Sequence, residues 1–455
     1  MSTQAKNQHI SLGTKFSYGL GALGKDFGCA PIYIFLMFYY TDVVGLSAAF
    51  VGTLFLVARV IDAFTDPLMG MIVDNTRSRF GKFRPWVLIG TLINAVVLIM
   101  LFSAHRYDGT FVYIYAALTY ILWGVTYTIM DIPYWSIIPS LSSERSEREH
   151  LVVWPRIFAS IAWTLVGGYG LYTVGILGGG DQGQGFFLAS IGIAVLFIAS
   201  ALLVFFRVKE KTDSGKVAKE KFTIRDVKKI IGENDQLKSL IGFVLSFNIA
   251  MQLIGGFGIY YFSYAIGEPA LFPMFMLVAG AAEFTGIFLF PWISKVVNRR
   301  FMWPLACGFP ILCCAVLYMG SVIAPQSAIL VGIAGAAMKF GNGLFNGLST
   351  VMLADVVDYG EEKTGMRSES VIFSVQTMLV KAAGAMAGFL IGSGLTLVGY
   401  VANEIQTPDT VMGLKVLMLL VPAILVGLSA LIYKKTYRLD KRFQDNVDAN
   451  NASYA

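Results

Sequence analysis

The sequence is short of charge. Only 14% of its 455 residues are Asp, Glu, Lys or Arg, while 56% are hydrophobic; a soluble domain carries about a quarter charged residues. That ratio excludes a soluble globular fold and implies an all-α polytopic membrane protein. Histidine is rarer still: His9, His105 and His150 fall at or beyond the ends of the apolar stretches. No histidine proton relay and no Ser/His/Asp or Cys/His set can be assembled inside the spans, so the chain is expected not to be an enzyme and to need no cofactor. Cysteine is scarce too. Cys29, Cys307, Cys313 and Cys314 lie in apolar stretches without metal-ligand spacing, and are expected to be small core residues rather than disulfides. The phosphate-cradling pattern GxxxxGK[ST] is missing, and GLGALG at 19–24 has no strand before it. No cleavable leader is expected, because residues 1–15 are polar and the first apolar stretch is too long.

Windows of about 20 residues find apolar stretches at about 15–41, 48–74, 85–105, 110–140, 150–177, 184–206, 237–265, 269–296, 302–323, 327–357, 367–400 and 410–434, which makes about twelve spans. Lys and Arg collect in the even-numbered loops: Arg77, Arg79, Lys82 and Arg84, then Arg145 and Arg148, the 207–238 connector, Lys295, Arg299 and Arg300, and Lys363 and Arg367. The odd-numbered loops hold Arg106 and almost nothing else, which predicts both termini in the cytoplasm. These loops account for the net charge of +6, so it carries no sign of nucleic acid binding. The longest polar stretch splits the spans six and six. The expected organisation is an N-terminal six-helix bundle over 1–206, a cytoplasmic connector over 207–236, a C-terminal six-helix bundle over 237–434 and a cytoplasmic tail over 435–455. Within the connector, 222–232 can form a short amphipathic helix.

Ionisable groups interrupt the apolar spans, and each costs several kcal/mol at mid-membrane depth unless it is paired, wetted or bound. Lys25 and Asp26 lie in the first span, Asp62 and Asp66 in the second, Asp131 in the fourth, Arg156 in the fifth and Lys381 in the eleventh. Such a set implies passage of a polar solute. Asp62 and Asp66 share a helix face one turn apart, and their repulsion favours either a cation held between them or a proton on one. Na⁺ or Li⁺ would find oxygen ligands there, with the hydroxyls of Thr65 and Thr128 at hand. The alternative is neutralisation by Arg59 or Lys381 as packing ion pairs. Asp26, Asp131 and Arg156 combine carboxylate acceptors with a guanidinium fork, a set suited to sugar hydroxyls. Tyr127 and Trp135 flank Asp131 at four residues either side and offer aromatic faces to a sugar ring. Glu283 in the eighth span and Lys339 in the tenth lack partners on their own helices, and pairing with each other is the economical outcome. Asp355 and Asp358, near the cytoplasmic end of the tenth span, are expected to form gate ion pairs with basic loops.

Several stretches make the chain resemble a known family. They are YGLGALGKDF (18–27), YYTDVVGLSAAFVGTLFLVARVIDAFTDPLMG (39–70), TRSRFGKFRPWVLIGTL (76–92), TYILWGVTYTIMDIPYWS (119–136), NDQL (234–237), ADVVDYGEEKTGMRSES (354–370) and SVQTMLVK (374–381). Nearly end to end, the chain resembles sugar carriers of the melibiose type in the glycoside, pentoside and hexuronide cation symporter family of the major facilitator superfamily. The resemblance implies a bacterial inner-membrane protein that imports a galactoside-type sugar with Na⁺, Li⁺ or H⁺ by alternating access between two halves. It further implies Lys25, Asp26, Asp131, Trp135, Arg156, Gln376, Thr377 and Lys381 around the sugar, and Asp62, Asp66 and Thr128 at the cation. Two positions depart from the family pattern: Thr65 stands where Asn is common, and Asn346 stands where the melibiose type has a sugar-packing Trp. Cation and sugar therefore stay open, with another glycoside, a hexuronide or a pentoside as alternatives. A membrane sensor on the same scaffold would want an attached soluble domain or long tail.

Overall fold

The computed structural model describes the backbone of residues 10–141, 145–210, 232–364 and 369–439. Among these, twelve helices are long and apolar enough to cross a membrane, as the hydropathy windows predict, and there is no strand. They are α1 Leu12–Phe38, α2 Ala48–Asp74, α3 Arg84–Leu101, α4 Gly109–Leu141, α5 Arg145–Gly178 and α6 Gln182–Arg207. In the second half come α7 Asp235–Tyr260, α8 Leu271–Val296, α9 Arg299–Ile323, α10 Ala328–Thr364 and α11 Glu369–Leu397. The last span, Pro408–Thr436, is α12. A π-helical turn, Tyr39–Val43, prolongs α1, and another, Tyr261–Ile266, prolongs α7.

Side-chain caps set where many of these helices begin. Ser11, Ser47, Asp181, Asn234, Asn298 and Thr407 each accept a hydrogen bond from an amide two or three residues on, satisfying a donor that hydrocarbon could not. The helix α3 is started differently. Pro85 sits in its first turn, and the amides of Lys82, Phe83 and Arg84 donate to the Glu210 carboxylate at 2.7, 3.0 and 2.8 Å. Gly81, at φ +105°, makes room for that carboxylate. The helix α10 runs past its apolar stretch, because the polar segment ending in GluGluLysThr continues the helix where hydropathy no longer marks it. Residues 222–231 of the expected amphipathic segment lie outside the described residues.

The chain divides into two compact units, residues 1–219 and 220–455. In the first, α1 packs on α5 and α6, α3 on α4 and α6, and α2 on α4. The second repeats the scheme: α7 packs on α11 and α12, α9 on α10 and α12, and α8 on α10. The first core gathers Tyr18, Val87, Met130, Tyr134, Phe197 and Val204. The second is built on Phe243, Trp303, Phe345 and Tyr433, and the Trp303 indole N–H is satisfied by Ser429 Oγ at 3.1 Å. Lipid tails are as apolar as these cores, so close approach carries the packing. A methyl added at Gly343 of α10 would stand 2.6 Å from the Glu283 carbonyl oxygen of α8, and one at Gly286 would stand 2.6 Å from that of Phe340. Large side chains such as Phe64, Phe288 and Ile329 point outward, 75%, 68% and 74% exposed, as a lipid-facing surface requires. All four cysteines are buried and free.

Candidate functional site

In the first unit three helices bring polar groups together. Lys25 and Asp26 are adjacent on α1, so they diverge by a large angle around the helix. Lys25 turns to α4, where Nζ lies 2.7 Å from Asp131 Oδ1 and donates to the Tyr127 hydroxyl at 3.2 Å. The same ammonium lies over the rings of Trp135, Tyr127 and Tyr134, at 5.3, 5.6 and 5.8 Å from their centroids. Asp26 is 3.8 Å from Lys25 through Oδ2, and its Oδ1 accepts from the Trp163 indole N–H of α5 at 3.0 Å. Lys25 and Asp26 are buried, whereas Trp135 is 37% exposed. The cluster presents two carboxylates, an ammonium, a phenol and aromatic faces, the equipment for binding hydroxyls and an apolar ring face. Arg156 lies on α5 with an exposed side chain and makes no ion pair with a described residue.

Sequence reasoning missed Trp163. Its signal was present: it follows Arg156 by seven residues, two turns along the same face of α5. Tyr33 was missed as well. Its ring lies 5.7 Å from that of Trp163, and its hydroxyl accepts from Arg59 Nη1 at 3.4 Å.

The cation candidates line the α2–α4 contact in two successive turns. Thr128 Oγ1 donates to Asp66 Oδ1 at 2.8 Å. One turn earlier Asp62 faces Gly124, where an added methyl would stand 3.1 Å from Oδ1. Asp62 Oδ2 pairs with Arg59 Nη1 at 2.9 Å, so Arg59 supplies the neutralising charge that the sequence offered as an alternative. The Thr65 hydroxyl turns back onto its own helix, 3.4 Å from the Asp62 carbonyl oxygen, the habit of threonine in a helix. Among the described residues no three His, Cys, Asp or Glu side chains cluster as metal ligands. A weakly held ion there would rest on two carboxylates and neutral oxygens.

In the second unit Glu283 of α8 meets α10. Its Oε2 is 3.0 Å from Lys339 Nζ, and its Oε1 accepts from the amides of Asn342 at 2.7 Å and Asn346 at 3.3 Å. Asn342 was not foreseen; it lies one turn before Asn346 on the same face. Asp355 pairs with Arg299 of α9, Asp358 is exposed near the end of α10, and Lys381 is half-buried on α11. The side chains of Gln376 and Thr377 lie outside the described residues, as do those of Arg145, Arg148 and His150. His105, in the loop after α3, hydrogen-bonds the Tyr39 hydroxyl through Nδ1 at 3.1 Å, and burial holds its pKa below the usual histidine value.

Comparison with known proteins gives the family and the fold. Residues 17–441 match the family described as MFS/sugar transport protein. The chain is 33% identical to the inner membrane symporter YicJ of Escherichia coli (strain K12), across 95% of this chain and 93% of that protein. It is 30% identical to the isoprimeverose transporter of Lactiplantibacillus pentosus, across 96% and 91%. In structure it is similar to an inward-facing bacterial homologue of the human lysosomal transporter Spinster, with a TM-score of 0.67 at 14% identity over 94% of this chain and 97% of that one, a likeness of fold. With twelve spans and the family match in hand, this multi-pass membrane protein is a transporter and not an enzyme, and the chain belongs to the MFS/sugar transport protein family, in line with the glycoside, pentoside and hexuronide cation symporter motifs it carries.

Proposed function

We propose that the protein imports a neutral glycoside, of the galactoside type, in symport with Na⁺, Li⁺ or H⁺ by alternating access. The observation that carries this reading is the Lys25–Asp131 contact at 2.7 Å, with Asp26 and three aromatic rings around the same ammonium. Paired charges buried in a membrane span are costly and no more stabilising than apolar packing. Their presence makes sense if sugar hydroxyls exchange with them. The charges of Lys25, Asp26 and Asp131 sum to minus one, and Arg156 and Lys381 bring the proposed sugar set to plus one, so a hexuronide stays an alternative substrate. A neutral pentoside or another glycoside is the second reading, favoured by similarity to an isoprimeverose transporter.

In this proposal Asp62, Asp66 and Thr128 take the coupling ion, with Thr65 at their edge. Asn346, Gln376, Thr377, Lys381 and Arg156 are the further residues assigned to the sugar. Asp355 and Asp358 act in gating. The protein sits in the bacterial inner membrane with both termini in the cytoplasm. Calorimetric titration of the purified protein with 4-nitrophenyl glycosides of galactose, glucose, xylose and glucuronic acid, with and without Na⁺ or Li⁺, tests the reading. Cation-enhanced binding of a neutral glycoside is expected; tightest binding of the glucuronide would displace it.

A further inference from the structure

We propose that Trp163 is the residue that couples the sugar cluster to the cation carboxylates, an inference that rests on the function proposed above. A continuous line of contacts runs between the two sites inside the first unit. From Asp131 it passes to Lys25 at 2.7 Å, to Asp26 at 3.8 Å and to the Trp163 indole N–H at 3.0 Å. The Trp163 ring lies 5.7 Å from the Tyr33 ring. The Tyr33 hydroxyl accepts from Arg59 at 3.4 Å, and Arg59 pairs with Asp62 at 2.9 Å.

Two members of this line have competing partners, which is what a transmitting contact needs. Arg59 divides its guanidinium between the Asp62 carboxylate and the hydroxyls of Tyr33 and Tyr120, the latter at 3.5 Å. A cation beside Asp62 takes up part of that carboxylate's charge and loosens its hold on Arg59. The guanidinium then leans on Tyr33, whose ring bears on Trp163. Asp26 in turn divides its oxygens between Lys25 and the indole, so the indole's position decides how freely Asp26 can accept from a sugar hydroxyl. Linkage makes the effect reciprocal: a sugar that engages Asp26 alters cation affinity by the same factor. The Trp163 side chain is only partly buried, which leaves the ring room to shift.

The test is the ratio of glycoside Kd without and with saturating Na⁺ or Li⁺, measured by calorimetry on purified full-length protein with the 4-nitrophenyl glycoside that binds wild type best. Trp163→Phe keeps a ring against Tyr33 and removes the N–H that holds Asp26. Its ratio should fall at least threefold toward one, whatever happens to affinity itself. Tyr33→Phe, which removes the hydroxyl facing Arg59, should lower the ratio similarly, and the double variant should lose no more than the stronger single one, since both interrupt one path. A Trp163→Phe protein with weakened glycoside binding but the wild-type ratio would make the residue a mere site contact and overturn the inference. So would additive losses in the double variant. A wild-type protein whose glycoside binding ignores Na⁺, Li⁺ and pH would overturn the proposed function, and this inference with it.

Discussion

Tyr18 and Tyr134 hold each other by their main chains. The Tyr18 hydroxyl donates to the Tyr134 carbonyl at 2.8 Å, the Tyr134 hydroxyl donates to the Tyr18 carbonyl at 2.6 Å, and the rings stack 4.5 Å apart. The clasp lies two turns from Lys25 on α1 and one turn from Asp131 on α4, so it sets the gap that the lysine and carboxylate close. Tyr134→Phe keeps the ring and deletes one of the two bonds, at a cost of about 1 kcal/mol. The expected result is a lower melting temperature and weaker glycoside binding. Thermal unfolding and calorimetry on the same preparation check it, and unchanged values in both would mean that the clasp positions nothing.

The Lys25–Asp131 pair should behave as a unit. Asp131→Ala leaves the buried ammonium with Asp26 at 3.8 Å, and loss of one partner of a buried pair costs about 3–5 kcal/mol. Removing both charges in a Lys25→Met/Asp131→Leu protein leaves the buried Asp26 carboxylate without its ammonium, so it should recover little of that stability and none of the glycoside binding. Melting temperature and binding, measured side by side, separate the two effects. Binding retained by the double variant would move the sugar elsewhere.

At the α2–α4 contact, Thr128→Ala removes the hydroxyl that donates to Asp66 at 2.8 Å. Bonds to charged groups contribute about 1.5–3 kcal/mol, so half-saturating Na⁺ or Li⁺ should rise about tenfold or more. Gly124→Ala brings a methyl to within 3.1 Å of Asp62 Oδ1 and should shift the same quantity through crowding. Cation-dependence curves of glycoside binding are the measurement. Curves matching wild type for both variants would take the ion away from this contact.

Glu283 gives a prediction in the second unit. Glu283→Ala leaves Lys339 without its carboxylate 3.0 Å away and frees the amides of Asn342 and Asn346. Yield and melting temperature should fall by more than in the Glu283→Gln protein, which keeps an acceptor for those amides. Equal stability of the two would show that the amides gain nothing from this partner.

The spans were legible because hydrocarbon demands about 20 apolar residues per helix, a demand written plainly in sequence. Charged residues inside those spans were legible for the converse reason, and Lys25, Asp26, Asp62, Asp66 and Asp131 could be singled out one by one. Trp163 and Tyr33 escaped notice because an aromatic residue in a membrane helix looks like any other core residue until its neighbour is known. Glu210 escaped because a carboxylate just past a helix end looks solvated, while its acceptor role depends on backbone amides 126–128 positions earlier in the chain. Arg156 shows another limit: its residue type was legible, but the direction of its exposed side chain is not supplied by spacing alone.

Uptake of radiolabelled glycosides into membrane vesicles tests the central claim most directly. Vesicles carrying wild type or Asp131→Ala protein would be given an inward gradient of Na⁺, of Li⁺ or of H⁺ in turn. Wild-type vesicles should concentrate a neutral glycoside above its outside level under at least one of these gradients, and Asp131→Ala vesicles should not. Accumulation by wild type that persists after every cation gradient is collapsed, or equal accumulation by Asp131→Ala, would contradict the account.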